Sequence, residues 1–137
     1  MPAIIEMLQR DLIPPPPPQT GPTDGQKRAF DQIAAHPDSE IIVATLDGEV
    51  VATLQLNFLP GLSHDGGWRA QVEAVRVRED LRSQRIGTRL MEWVIARARD
   101  RGCWLVQLTS NQARLDAHRF YERLGFIGSH LGMRLYL

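Results

Sequence analysis

The stretch Val75–Met91, VRVREDLRSQRIGTRLM, decides the fold of this chain. It begins as an apolar strand, passes through the polar, basic turn Leu81–Arg85 and continues as a helix. Apolar residues then recur every four positions, as on one face of a helix: Ile86, Leu90, Val94 and Ala98. Because the first N–H groups of a helix are unpaired and the helix dipole attracts negative charge, the stretch predicts a phosphate or pyrophosphate site.

The side chains of the turn suit the same ligand. Arg82 and Arg85 add positive charge, Ser83 and Thr88 add hydroxyl donors, and Gly87 allows a ligand to approach the backbone closely. The alternative is an ordinary strand-to-helix turn with solvated arginines. The chain has neither a P-loop nor the three spaced glycines of a dinucleotide fingerprint. These two classes of nucleotide site are therefore excluded, but the ligand itself is not identified.

The residues before this stretch predict two helices and three strands. Apolar spacing predicts a helix over Pro2–Leu12, the prolines Pro14–Pro18 favour polyproline II, and Thr23 is a candidate N-cap for a helix over Asp24–Ala35. Two β-rich runs on either side of Asp47-Gly48 predict a hairpin. The hairpin strands, the loop and the third strand follow in order: Glu40–Ala44, Val50–Phe58, Pro60–Gly67 and Trp68–Val77.

The residues after it predict a closing β–α–β–β arrangement. Gly102 and Gly125 are expected to end the two helices. The predicted elements are a strand, a helix and a hairpin around Gly132: Cys103–Thr109, Asp116–Leu124, Phe126–Ser129 and Met133–Leu137. The element order predicts a mixed α/β fold with a largely antiparallel central sheet flanked by helices.

Composition limits the class of protein. The 137 residues favour one domain, 1–137, and Lys plus Arg balance Asp plus Glu at 16 each. A zero net charge argues against a general nucleic-acid binder, and no apolar run is long enough to cross a bilayer. The single cysteine, Cys103, has no internal partner, so a cytoplasmic location and a buried, unreactive thiol are expected.

Two motifs resemble those of the GNAT superfamily of N-acetyltransferases. Arg82–Gly87, followed by Leu90-Met91, resembles the pattern Arg/Gln-x-x-Gly-x-Gly/Ala, and Leu108–Phe126 resembles the family's strand, loop, helix and closing Leu-Gly-Phe. The two blocks stand in the family's order and at its spacing, and the preceding hairpin and strand extend the likeness over most of the chain.

The chain departs from the family pattern at two places. Arg85 occupies the position of the first loop glycine, which suits a non-glycine residue if the backbone there is right-handed. Its charge then either holds a phosphate or crowds the ligand. Members of the family also open with a β-strand, whereas this chain opens with a helix. Either the strand is absent by nature or the given start lies downstream of it, and without the strand a hydrophobic edge of the sheet is expected to be exposed.

The resemblance implies acetyl-CoA as co-substrate, with no metal. The strands Gln71–Val77 and Cys103–Thr109 splay apart in that family, and the pantetheine arm pairs with the backbone at Val75 and Val77. A backbone N–H in the same stretch polarises the thioester carbonyl. The expected cofactor-binding residues are Val75, Val77, Arg82, Ser83, Gln84, Arg85, Ile86, Gly87, Thr88 and Asn111.

Two residues are the candidates for proton transfer. Tyr121 keeps its proton at neutral pH and is the expected acid for the leaving thiolate, the alternative being one more aromatic of an apolar helix face. Glu73 is the expected base for the incoming ammonium, directly or through water, and an ordinary exposed strand residue is the alternative. His64, in a loop near the expected acceptor side, is a second candidate base, and a solvated loop histidine is the favoured alternative. Asn111 is alternatively a turn or cap residue.

The function that follows is transfer of an acetyl group to a primary amine of a small molecule or peptide. The N-terminal helices, Pro14–Pro18 and the Pro60–Gly67 loop are expected to bind the acceptor. A non-catalytic acyl-CoA-binding regulatory or interaction domain is the alternative. The resemblance also leaves a homodimer open, since members of the superfamily often pair.

Overall fold

The structure, a computed structural model, describes residues 1–10, 16–17 and 19–137. The chain divides into two compact units, residues 1–107 and 108–137. The elements follow in the order α1 (Pro2–Arg10), α2 (Asp24–Ala35), β1 (Ser39–Leu46), β2 (Glu49–Leu59), α3 (Ser63–Gly66), β3 (Trp68–Val77), a 3-10 turn (Glu79–Leu81), α4 (Ile86–Asp100), β4 (Cys103–Leu108) and α5 (Leu115–Arg123).

The four strands form one sheet in the order β1-β2-β3-β4. The β1–β2 and β2–β3 pairs are antiparallel, as predicted. At the β1–β2 turn, Asp47 and Gly48 have φ of 50° and 81°, the pair of positive values that a tight two-residue hairpin turn requires. Among the described residues no strand precedes β1, and Val43 and Leu46 on this edge strand are 43% and 46% exposed.

The core lies between the central strands and the helices α1 and α4. Alternate residues of β2 and β3 bury one apolar face against α4, while both faces of β2 are buried near its start. The buried side chains include Leu54, Leu56, Phe58, Ala70, Val72, Leu90, Met91, Val94 and Ala98, together with Ile4, Ile5 and Met7 of α1. The four-residue spacing of the α4 set confirms the predicted helix face.

Two arginines fix the end of α4 to the hairpin. Arg97 makes an ion pair with Glu40, and Arg101 Nη2 donates to Asp38 Oδ1 at 2.8 Å. The Arg101 guanidinium also lies 4.1 Å from the centroid of the Phe58 ring. Partly buried ion pairs and a cation–π contact at one point stabilise the packing of α4 on β1 and β2.

The predicted helix starts and stops of this unit are largely confirmed. Thr23 caps α2, because its hydroxyl accepts from Gln26 N while the Gln26 side chain accepts from Thr23 N. Gly102 follows α4 with φ of 74°, the left-handed conformation that glycine tolerates. The predicted end of the first helix at Leu12 and most of the Pro14–Pro18 segment fall outside the described residues.

The second unit corrects one prediction. Residues 126–137 form no strand in the structure, so the closing hairpin Phe126–Ser129 and Met133–Leu137 is wrong. Gly132, the expected turn residue, does not have the positive φ of a tight hairpin turn. The helix α5 and its end at Gly125, which has φ of 96°, are as predicted.

Within the ranges that the structure describes, no helix has the length and apolar character to span a membrane. Over the same ranges, no group of His, Cys, Asp and Glu side chains is placed to hold a metal ion.

Candidate active site

A β-bulge interrupts β3 at its middle. Thr53 pairs with Arg76 and Gln55 pairs with Glu73, so that Leu54 of β2 faces both Ala74 and Val75. Ala74 has φ of 54°, a conformation that residues with a Cβ rarely adopt. Bulges bend a strand and are common beside active sites. This one divides β3 into a first half, Trp68–Val72, and a second half, Glu73–Val77.

The neighbouring strand β4 runs beside the first half only. Near its start, the Trp104 ring stacks on His64, which precedes β3, with a centroid distance of 3.5 Å. Further along, Gln107 Nε2 donates to Gln71 Oε1 at 2.7 Å. The contact at His64 and Trp104 comes earlier in both segments than the contact at Gln71 and Gln107. The two strands therefore run in the same direction, β3 and β4 are parallel, and the sheet is mixed. Since β4 ends at Leu108, one residue later, the second half of β3 extends beyond it.

The backbone of this second half is directed to the open edge. Arg78 N donates to Val51 O at 2.8 Å, so at Arg78 the N–H points toward β2. Backbone groups alternate between the two edges of a strand, and those of Val75 and Val77 therefore point away from β2. They form a short row of donors and acceptors on the side where β4 has ended, and one acceptor of this row, Val75 O, also accepts from Arg76 Nη1 at 2.8 Å.

The loop after β3 leads directly into α4. Ser83 and Arg85 have φ of 68° and 64°, and Arg85 is the N-cap of α4. The first intrahelical bond is donated by Arg89 N to Arg85 O at 3.0 Å, so the N–H groups of Ile86, Gly87 and Thr88 precede the helical ladder. Among the described residues no side chain caps them, and the first turn of α4 contains no acidic residue.

Arg85 therefore differs from the expectation for a non-glycine residue. Its backbone is left-handed, with φ of 64° and ψ of 11°, rather than right-handed. The reason is the sharp reversal between the 3-10 turn and α4, which requires positive φ at the N-cap here. Arg85 occupies a conformation that glycine would adopt without strain.

An ion cluster fixes the start of this loop. Arg78 donates to Glu49 Oε2 at 2.8 Å and to Asp80 Oδ1 at 2.7 Å. The hydrogen bond from Arg78 lowers the pKa of Asp80, and the bonds to both carboxylates raise the pKa of Arg78. The cluster ties the first residues after β3 to the β1–β2 hairpin, on which Glu49 begins β2.

Glu73, the predicted base, lies directly before the bulge. Its side chain is exposed and stands opposite Gln55 of β2. In the described part of the chain it makes no ion pair and no hydrogen bond, so its carboxylate is available to a cationic group. The structure thus brings Glu73, the open edge at Val75 and Val77, and the uncapped start of α4 together in one continuous segment.

Tyr121 and Asn111 lie in the second unit, 108–137. The half-buried Tyr121 ring meets the edges of two other rings, with centroid distances of 5.1 Å to Phe120 and 5.7 Å to Phe126. Asn111 Oδ1 accepts from Ala113 N at 2.9 Å, which is the local turn bond of an asparagine before a helix. Of the two alternatives for Asn111, the structure shows the turn residue, since Arg114 is the N-cap of α5, whereas a pantetheine contact stays a prediction.

His64 is not near the loop between β3 and α4, residues 78–85, which we call the cofactor loop because the motifs predict that it binds acetyl-CoA. It lies in α3, a single turn in which His64, Asp65 and Gly66 all have positive φ, and its ring stacks on Trp104. This turn precedes β3 and the cofactor loop follows it, so about 33 Å of extended strand separates them. β3 thus carries His64 and the cofactor loop to opposite ends of the sheet, and a role of His64 as a base stays a prediction.

Cys103 behaves as a structural thiol. It is half-buried at the start of β4, and desolvation raises the pKa of its thiol. Because the thiolate is the reactive form, this shift makes the side chain less nucleophilic at neutral pH.

Sequence reasoning overlooked the bulge and the Gln71–Gln107 bond. A signal for the bulge was present, since the polar–apolar alternation of Gln71, Val72 and Glu73 breaks at Ala74-Val75. The pairing of Gln71 with Gln107 depends on the register of two strands far apart in the chain, which alternation does not encode.

In this site a bulged strand extends beyond its parallel neighbour and leads into a helix without a side-chain cap. This arrangement fits the class of protein that the two motifs imply, the acyl-CoA-dependent N-acyltransferases. The chain belongs to the Acetyltransferase (GNAT) family, whose model matches residues 3–126. The match includes β3, the cofactor loop, α4 and the segment up to Phe126, and it confirms the resemblance.

The similar proteins include two named N-acetyltransferases and one named a transcriptional regulator. The chain is 36% identical over 94 residues to the aminoalkylphosphonate N-acetyltransferase of Salmonella typhimurium, covering 69% of this chain and 60% of that protein. A transcriptional regulator from Bacillus halodurans C-125 has a TM-score of 0.91 and 40% identity, with coverage of 98% and 91%. Glucosamine-6-phosphate N-acetyltransferase from Arabidopsis thaliana, at 22% identity, shares the fold, with a TM-score of 0.82 and coverage of 98% and 89%.

Proposed function

We propose that this protein is an acetyl-CoA-dependent N-acetyltransferase that acetylates a primary amine of a small molecule or peptide. One observation carries the proposal. Within one segment, the open backbone edge at Val75 and Val77 is followed by a basic loop and by a helix whose first N–H groups have no side-chain cap. An extended amide-bearing arm that ends in a pyrophosphate matches this order of groups.

Each part of acetyl-CoA has residues suited to it. The pyrophosphate binds the loop and the first turn of α4, where helix N–H groups and arginine charges attract anions. The binding set proposed there is Arg82, Ser83, Gln84, Arg85, Ile86, Gly87 and Thr88. The pantetheine arm adds to the edge of β3 by hydrogen bonds with Val75 and Val77. The acetyl thioester then reaches the bulge.

The reaction is direct attack by the acceptor nitrogen on the thioester carbonyl. The new C–N bond converts the carbonyl into a tetrahedral oxyanion, which a backbone N–H at the bulge stabilises. Collapse of this intermediate breaks the C–S bond and releases the CoA thiolate. Starting from the ammonium, the nitrogen loses one proton before the attack and a second one from the tetrahedral intermediate, while the sulfur gains one. The products are therefore the acetylated amine, CoA and one proton released to solvent.

Glu73 and Tyr121 are the proposed proton carriers. Glu73 removes a proton from the incoming ammonium, which its exposed and unpaired carboxylate beside the bulge favours. Tyr121 protonates the leaving thiolate, and this role rests on its position in the family motif Leu108–Phe126. Asn111 is proposed to contact the pantetheine arm on the same ground.

A primary amine acceptor is supported by the relatives. The relative from Salmonella typhimurium is named for aminoalkylphosphonates, which carry an amine, but this chain spans only 60% of its length. The acceptor class of this chain is therefore taken as an amine in general. A homodimer and a cytoplasmic location stay predictions.

The second candidate function is a non-catalytic acyl-CoA-binding regulatory domain. Two observations favour it: Arg85 holds a strained backbone at the pyrophosphate loop, and the protein of 40% identity is named a transcriptional regulator. In this case the cofactor site is retained but no acetyl group is transferred. Turnover therefore separates the two candidates.

The test combines calorimetric titration with acetyl-CoA and an assay of thiol release from acetyl-CoA with an amine panel. Glu73→Gln and Tyr121→Phe are each expected to lower kcat by about a hundredfold, since they remove proton-transfer groups, while the Kd of acetyl-CoA is unchanged. The matched controls are Glu92→Gln on α4 and Tyr136→Phe, both exposed positions outside the proposed site.

The outcomes separate the candidates. Binding with turnover that the two variants reduce supports the enzyme, and binding without turnover of any amine supports the regulatory domain. If neither acetyl-CoA nor CoA binds, both candidates are wrong. Unchanged turnover in Tyr121→Phe would remove this residue alone from the mechanism.

A further inference from the structure

One face of the sheet carries a row of amide and carboxylate side chains across three strands. Gln55 stands opposite Glu73, and Asn57 stands opposite Gln71, in the β2–β3 register. Residues directly opposite each other in an antiparallel pair lie on the same face. Gln107 of β4 joins them through its bond to Gln71. We call these five residues the amide face.

The amide face lies in the middle of the sheet, and its side chains are only partly solvated. Gln55, Asn57, Gln71 and Gln107 are half-buried, whereas Glu73 is exposed. The opposite face at the same level is apolar and covered by α4, with Leu56 and Val72 buried. Half-buried amides on central strands lose hydration on folding, which is unfavourable unless other groups replace the lost hydrogen bonds.

The internal bonds of the amide face satisfy only part of its hydrogen-bonding capacity. Gln55 Nε2 donates to Asn57 Oδ1 at 3.1 Å, and Gln107 Nε2 donates to Gln71 Oε1 at 2.7 Å. A side-chain amide has two N–H donors and a carbonyl oxygen that accepts two bonds. Over the described ranges, each of these amides makes one side-chain bond, so most of its donors and acceptors are available to a ligand.

The position of the amide face connects it with the proposed reaction. Glu73 is next to the bulge at Ala74, where the proposed function places the acetyl group. Gln71 lies two residues back along β3, about 7 Å away, and Gln107 lies one strand further, about 5 Å from Gln71. A small molecule bound at Glu73 would therefore extend over Gln71 and Gln107.

The charge of the amide face selects the chemistry of that molecule. Arg69, the next residue of β3 on this face, directs its guanidinium to the preceding loop, with Nη1 3.3 Å from where a Cβ on Gly61 would lie. Glu73 thus supplies the only charge among the five residues, and the others are neutral donors and acceptors.

We propose that the amide face binds the acceptor, with Glu73 receiving the ammonium and Gln71 and Gln107 binding hydroxyl groups of the same molecule. The acceptor class is then a primary amine that carries neutral hydroxyl groups, rather than a bare alkylamine. This inference rests on the proposed function, because it assigns the acceptor side of the same site.

The test compares two acceptors that differ only in hydroxyl groups, 3-amino-1,2-propanediol and propylamine. Thiol release gives kcat/KM for each amine with wild-type protein, Gln71→Met and Gln107→Met, which keep side-chain length without the amide. The ratio of kcat/KM for the diol amine to that for propylamine is expected to exceed ten and to fall about tenfold in each variant, as one hydrogen bond is lost. Glu92→Met, at an exposed position of α4 outside the proposed site, is the control.

Thermal unfolding and calorimetry with acetyl-CoA on the same preparations show that each variant is folded and binds the co-substrate. A ratio near one in the wild-type protein, or an equal ratio in wild type and both variants, overturns the inference while leaving the acetyltransferase in place. Transfer to other amines of the panel but to neither of these two also overturns the inference alone, whereas binding of acetyl-CoA without transfer to any amine overturns the proposed function and the inference with it.

Discussion

The two halves of β3 have opposite roles, although they belong to one continuous strand. Trp68–Val72 has β2 on one side and β4 on the other, and its apolar side chains Ala70 and Val72 are buried. Glu73–Val77 begins at the bulge, extends past β4 and is more exposed. The comparison teaches that the fold stabilises this strand in its first half and leaves hydrogen-bonding groups available in its second half.

The largest expected effect concerns the helix that the second half leads into. Gly87→Glu should weaken acetyl-CoA binding by about a hundredfold or more, because it places a negative charge and a side chain where helix N–H groups attract the pyrophosphate. The measurement is calorimetric titration. If the affinity is unchanged, the pyrophosphate does not bind at this helix, and the second half of β3 does not lead into a pyrophosphate site.

The chain supplies a matched control for this change. Gly25 is the second residue of α2, as Gly87 is the second residue of α4. Gly25→Glu makes the same substitution at the same helix position, where α2 already has a capping box. It is expected to leave acetyl-CoA binding unchanged.

The next effect separates the two halves by stability. Val72→Ala should lower the free energy of unfolding by about 2 kcal/mol, since it removes two buried methyl groups beside α4. Val75→Ala, at a half-buried position beyond the bulge, should lower it by less than about 1 kcal/mol. Urea denaturation of both variants measures the difference. Equal losses would mean that the second half is packed as well as the first.

The sequence predicted the regular, packed elements around the first half of β3 better than the bulge and the loop that belong to its second half. Periodicity located α4, β3 and the hairpin because apolar spacing reports directly which faces are buried. The left-handed backbone at Ala74, Ser83 and Arg85 was not predicted, since non-glycine residues rarely adopt it and the surrounding fold enforces it. The register that aligns Gln71 with Gln107 was also hidden, as it depends on how far β4 advances along β3.

The failed prediction of the closing hairpin has a different cause. Residues 126–137 have suitable strand residues, and Leu135, Tyr136 and Leu137 are more than 80% exposed in the structure. Strand propensity is realised only where a partner strand and a buried face are available.

A smaller effect is expected from the strained cap of α4. Arg85→Gly should raise the free energy of unfolding by up to about 1 kcal/mol, because glycine adopts positive φ without strain but loses more entropy on folding. Acetyl-CoA affinity then reports whether the arginine charge holds the phosphate or its side chain crowds it. Arg85→Lys keeps both the charge and the strained backbone and is the control for charge.

The smallest effect concerns the ion cluster that ties the second half of β3 to the hairpin. Arg78 lowers the pKa of Asp80, so Asp80 is ionised more readily in the folded protein than in the unfolded chain. Its contribution to stability is therefore fully present above about pH 4 and is lost as the pH falls through the lowered folded-state pKa. Asp80→Asn should give a slightly lower Tm than wild type at pH 7, and the difference should vanish near pH 2.

High salt should also reduce this difference, because the pair is exposed and screened by ions. Asp116→Asn, which removes an exposed ion pair with Arg119 in the second unit, is the control for loss of a surface charge alone. Should Asp80→Asn also weaken acetyl-CoA binding while Asp116→Asn does not, the cluster acts on the cofactor loop and not only on stability. An unchanged affinity would confine its role to holding the second half of β3 against the hairpin.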